Sequence, residues 1–91
     1  MENTLKELLE KKIYRDILRF FYKNQRSVDS AEGIAAWVGK DTDQVQEALD
    51  QLVEIGVLNR DAEGSTRGYC YTRDEDIMNI IQELMPDEDI K

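Results

Sequence analysis

The chain contains no histidine and a single cysteine, Cys70, so it lacks the residues on which most nucleophilic catalysis and zinc binding rest. Cys70 has neither a His nor a cationic helix terminus near it in sequence, which marks a structural thiol rather than a nucleophile. The run Asp41-Thr-Asp43 lacks the glycine and the distal glutamate of a calcium loop. No glycine-rich phosphate cradle is present. Asp74-Glu75-Asp76 forms an acidic cluster, but it falls where a helix should start, and a helix dipole favours negative charge there. The sequence therefore predicts no catalytic residue, no metal and no cofactor. A binding module is expected, not an enzyme.

The chemistry on offer is hydrogen bonding. Gln44, Gln46 and Gln51 flank a row of acids formed by Asp43, Glu47, Asp50 and Glu54. A glutamine amide can read adenine, and a carboxylate can accept from cytosine. Residues 41–56, however, carry five acids and no base. Duplex DNA presents about one negative charge per 1.7 Å of axis, so such a face is repelled unless cations elsewhere hold the phosphates. Arg60, Arg67 and Arg73 outnumber Asp61 and Glu63, giving +1 over residues 57–73. These arginines are the candidate phosphate contacts. The same acidic row also suits a basic protein partner. In that alternative Trp37 serves as an anchor, unless it covers the edge of its own core.

Positioning these groups is the task of one domain, the number expected for 91 residues. The net charge of −8 argues against a strongly nucleic-acid-seeking or anionic-membrane surface. No apolar run approaches the ~18 residues of a membrane span, and the start lacks the layout of a signal peptide, so a cytoplasmic location is expected. A first helix is predicted over residues 4–25, with Thr4 and Glu7 spaced as a capping box. Ile13, Tyr14, Ile17, Leu18, Phe20 and Phe21 share one face of it. Leu5, Leu8 and Leu9 fall about 150° away, so one straight helix cannot bury both sets. Either the helix breaks near residues 10–12, or the leucines pack on something else.

A second helix follows Asp29, with Glu32 at the capping-box position, and ends at Gly39. A third starts at Asp41, buries Val45, Ala48, Leu49, Leu52 and Val53, and ends at Gly56. A hairpin over residues 57–72 and a last helix capped at Thr72 complete the domain, 1–85. Residues 1–12 form a helical extension, and the acidic tail 86–91 beyond Pro86 is expected to fray. A basic stripe of Lys12, Arg15, Arg19, Lys23 and Arg26 runs along the first helix. It either grips an anionic surface or forms a solvated face paired internally to Asp16.

Residues 28–60 resemble the helix-turn-helix of winged-helix proteins. The likeness is carried by Ile34-Ala35, Val38-Gly39, Val45, Leu49, Leu52 and Gly56-Val57-Leu58, with residues 67–72 as the returning strand of the wing. It implies a mostly α fold with a small β-hairpin, in the order helix-helix-helix-hairpin-helix. It also implies a small transcription-associated regulator of the bacterial or archaeal kind, with weak or wing-mediated DNA binding. DNA contact then falls to Gln44, Gln46, Gln51, Arg60, Arg67 and Arg73. The alternative is an acidic interaction module that binds no DNA and uses Trp37, Asp43, Glu47, Asp50 and Glu54. Family members that dimerise through terminal helices imply a homodimer here, with Leu5, Leu8, Leu9 and Ile80 as contacts. The opposing expectation is a bend near Lys11 that folds the leucines back onto the last helix.

Overall fold

The leucines at positions 5, 8 and 9 and the apolar face that begins at Ile13 are out of phase, and the chain resolves the conflict by breaking. The structure, a computed structural model, describes residues 2–61 and 68–85. Helix α1 spans Glu2–Leu8 and α2 spans Lys12–Lys23, so the helix expected over 4–25 is broken, as one of its two alternatives required. Helix α1 starts before Thr4, so the expected Thr4–Glu7 capping box does not mark its N-terminus. Lys11 takes an extended conformation, φ −92° and ψ 132°, between the two helices. The Arg15 guanidinium donates to the carbonyls of Leu9, at 2.7 Å, and Glu10, at 3.0 Å. Those carbonyls belong to the turn after α1, where helical partners run out, and a cation suits them.

The break sends α1 onto the last helix, α5, Glu75–Leu84. Leu5 is 0% exposed and Leu9 7%, both within the chain's own core. Leu8 and Ile80 are half-buried against it. The expectation that these leucines form a free apolar cluster is thereby corrected. The bend near Lys11 is the arrangement observed.

Helix α3, Ala31–Val38, and helix α4, Thr42–Glu54, form the helix-turn-helix. Ser30, not Asp29, caps α3: its hydroxyl accepts from the Gly33 amide at 3.1 Å, while Asp29 accepts from the Ser30 amide. Gly39 closes α3 at φ 73°, a left-handed conformation that costs other residues about 1 kcal/mol or more. Gly56 follows α4 at φ 89°, where the chain turns into the hairpin. Strands β1, Leu58–Asp61, and β2, Gly68–Tyr71, pair antiparallel from Leu58–Tyr71 to Asp61–Gly68. On its other side Tyr69 exchanges two backbone hydrogen bonds with Asp29, at 2.8 and 3.0 Å. The hairpin is thus stitched to the segment that leads into α3. Asp74, not Thr72, caps α5 by accepting from the Asp76 and Ile77 amides.

Ile17 and Phe21 from α2, Ile34 from α3, and Val45, Leu49 and Leu52 from α4 meet at the centre, all fully buried. Leu5, Ile81 and Met85 extend this core beneath α1. The hairpin tip, Arg67 and the tail 86–91 lie outside the described residues. Truncating either end of the core should be costly. Leu5→Ala and Leu52→Ala are each expected to lose ~2–5 kcal/mol in urea unfolding. A loss under ~0.5 kcal/mol for Leu5→Ala, the scale of surface changes, would place α1 outside the folded unit.

Candidate functional site

Helix α4 turns Val45, Ala48, Leu49 and Leu52 inward, which leaves Asp43, Gln44, Glu47, Gln51 and Glu54 exposed on the opposite side. Its two flanks have different neighbours. On one, Gln44, Glu47 and Ala48 face the N-terminal turn of α2 across a cleft. On the other, Gln46 and Asp50 face the hairpin.

The hairpin flank is built around one carboxylate oxygen. Asp50 Oδ1 accepts from Arg60 Nη2 at 2.7 Å, from Gln46 Nε2 at 3.1 Å and from the Tyr69 hydroxyl at 3.2 Å. Gln46 Nε2 also donates to the Tyr69 hydroxyl oxygen. Arg60 comes from β1 and Tyr69 from β2, so α4 is tied to both strands of the hairpin. The Arg60 hydrogen bond, above the contributions of Gln46 and Tyr69, holds the Asp50 carboxyl below its ordinary value. Arg60 is reciprocally held in its charged form, first by Asp50.

This arrangement redistributes the residues expected to touch a nucleic acid. Gln46 and Arg60 are engaged with Asp50 and hold the scaffold together. Gln44, Gln51 and Arg73 stay exposed, and Arg67 lies outside the described residues. Of the residues assigned to the alternative partner, Asp43, Glu47 and Glu54 are exposed, whereas Asp50 is half-buried in the network. Trp37 is 50% exposed and meets Phe20 edge-on, with ring centroids 5.1 Å apart. It covers the core edge with one side and offers the other to solvent. The basic stripe of α2 is largely spent internally. Asp16, 8% exposed, pairs with Lys12 at 3.7 Å and Arg19 at 3.0 Å, and Arg15 caps the turn after α1. Leu5 and Leu9 are buried within the one chain, while Leu8 and Ile80 are half-buried.

No family model and no curated protein matches the chain. A solved structure described as a "possible transcriptional regulator" from Methanosarcina mazei Go1 superposes with a TM-score of 0.69. It is 22% identical in sequence, over 91% of this chain and 74% of that one. The layout is that of a winged helix. At this identity the likeness concerns the fold alone.

In that layout the wing is the hairpin β1–β2, and α4 is the second helix of the helix-turn-helix. Tyr69 and Tyr71 both point inward from β2, with opposite consequences. The Tyr69 hydroxyl is hydrogen-bonded, whereas the Tyr71 hydroxyl is buried with no partner among the described residues. Burial pushes Tyr71 ionisation up to about 12. Tyr69→Phe should therefore lower stability, and Tyr71→Phe should leave it unchanged or raise it, since removing an unpaired buried hydroxyl relieves desolvation. Thermal unfolding of the two variants checks this; an equal loss in both would contradict the network.

The Asp50 carboxyl also gives a pH dependence with a definite sign. Its folded-state pKa is lowered, so its stabilising contribution is present above the unfolded carboxylate value and is lost as pH falls through the folded value. The stability gap between the wild type and Asp50→Asn should be full at neutral pH and should close below about pH 4. Urea titrations across that range measure it. A gap that persists unchanged at about pH 2 would show that the charge of Asp50 is not what the network uses.

Proposed function

We propose that this chain is a small transcription-associated regulator that holds DNA weakly through the arginines in and just after the wing, Arg67 and Arg73, while Arg60 is spent on Asp50. The reading takes it as a binding module rather than an enzyme. One observation carries it: the Asp50 network ties both strands of the hairpin to α4, so the base of the wing is held beside that helix. A preorganised wing loses little entropy when it meets a phosphate backbone. Base reading by α4 is weak in this proposal. Asp43, Glu47 and Glu54 on its exposed side are repelled by the duplex, and Gln46 is engaged. The winged-helix layout supports the proposal, and so does a structural neighbour described as a possible transcriptional regulator.

A second reading has its own observation. The exposed acids of α4 and the half-exposed Trp37 suit a basic protein partner, with the charges steering approach and the indole as anchor.

A salt series of duplex binding separates the two. Under the first reading, Arg73→Ala should weaken binding to unrelated sequences alike and reduce the salt slope by about one. Glu47→Ala should strengthen binding by relieving repulsion. A large loss from Glu47→Ala with an unchanged Arg73→Ala slope would instead put α4 in the groove as a base reader. No binding to duplex at about 50 mM salt would leave the protein-partner reading.

A further inference from the structure

The cleft on the far flank of α4 is unused by the wing contacts. It lies where the break between α1 and α2 meets the start of α4, encloses about 360 Å³, and is rimmed by Lys11, Lys12, Lys40 and Gln44. Three lysines line it, in a chain whose net charge is −8. Lys12 shares its charge with Asp16 at 3.7 Å, but its side chain is 74% exposed. Lys11 and Lys40 are exposed and have no ion-pair partner among the described residues. The Glu47 carboxylate lines the same cleft and bars an anion from its α4 wall, so the lysine rim is where one would sit.

The occupant follows from how open and how placed the cleft is. Small ligands are bound by burying most of their surface. Here the lysines, Gln44 and Glu47 are all exposed, which leaves a small molecule mostly in water. A polymer anchored elsewhere does not need such burial, because a second contact then acts at high effective concentration. The cleft also lies across α4 from the wing: Gln44 and Glu47 face it, while Gln46 and Asp50 face the hairpin. A helix lying along a major groove, about 12 Å wide, has a phosphate backbone on either side. With α4 so placed, the wing would address one backbone and the lysine rim the other.

We propose that this cleft holds a backbone phosphate of duplex DNA, gripped by Lys11, Lys12 and Lys40, on the opposite side of α4 from the wing. The inference rests on the DNA-binding reading above and adds a second anchoring point to it. With both flanks engaged, the acidic exposed side of α4 is held over the groove by cations on either side rather than by attraction of its own.

The test is fluorescence anisotropy of a labelled duplex over a salt series, comparing wild type, Lys11→Gln/Lys40→Gln and Arg73→Ala. Both lysines are exposed, and matching thermal unfolding curves check that the double variant folds. The double variant should lose about tenfold or more in affinity at low salt, equally for unrelated sequences, and its salt slope should fall by about two. If the wild type binds, Arg73→Ala weakens it and the double variant behaves as wild type, the cleft proposal fails while the wing reading stands. If the wild type binds no duplex, both fail. Inorganic phosphate is then titrated while amide resonances are followed. Saturable shifts at Lys11 and Lys40 without duplex binding would replace the DNA phosphate with a small anion, which also overturns the proposal.

Discussion

The structure depends on a phase conflict in its first 21 residues and on the cation that settles it. An α-helix repeats every 3.6 residues, and the centre of the Leu5, Leu8 and Leu9 cluster lies about 150° from the centre of the broad face that runs from Ile13 to Phe21. Keeping the helix straight leaves two leucines in water. Breaking it leaves carbonyls without helical partners, and the Arg15 guanidinium takes those of Leu9 and Glu10. The break then has two effects at once. It lets α1 cover α5 and bury Leu5 and Leu9, and it turns Lys11 and Lys12 toward the start of α4. A packing solution at one end of the domain thereby shapes the electrostatics beside α4.

The second organising contact is Asp50. Its ion pair with Arg60 is exposed, with side chains 44% and 61% accessible, and an isolated pair of that kind is worth little. Its value is geometric. One oxygen draws together residues from α4, β1 and β2, and the Asp29–Tyr69 backbone pair fixes the same strand to the entry of α3. The wing is consequently oriented by contacts on both of its sides. Gln46 and Arg60 are thereby committed to the fold.

The order of elements was legible in the sequence because it rests on local signals. Gly39 and Gly56 end helices as their spacing implies, and Val45, Leu49 and Leu52 mark the buried stripe of α4. The caps slipped by one or two positions, to Ser30 and Asp74, because neighbouring Asp, Ser and Thr residues can all accept from a first turn. Periodicity showed that a straight first helix fails, but it did not choose between a bend and a second chain. The site was less legible. Gln46 and Tyr69 lie 23 residues apart, and nothing local announces their bond. The i, i+4 spacing of Gln46 and Asp50 was the one available hint that the glutamine was engaged. Arg15 looked like a member of a surface stripe, since a cap for a break cannot be seen before the break is known. The lysine cleft escaped for a similar reason: it joins the start of α2 to the turn before α4.

Among the described residues, the register of the wing is held by contacts at its base. Four paired positions from Leu58–Tyr71 to Asp61–Gly68, the Asp29–Tyr69 bridge and the Arg60–Asp50 contact all lie at or behind the point where the loop leaves the strands. Loop closure grows only slowly with length, at about 0.6 kcal/mol per doubling. Residues inserted between 61 and 68 would therefore change how far the wing reaches without re-pairing its strands. Reach and framework are separable quantities in this domain, and a lineage could vary the one by insertion or deletion while leaving the other untouched.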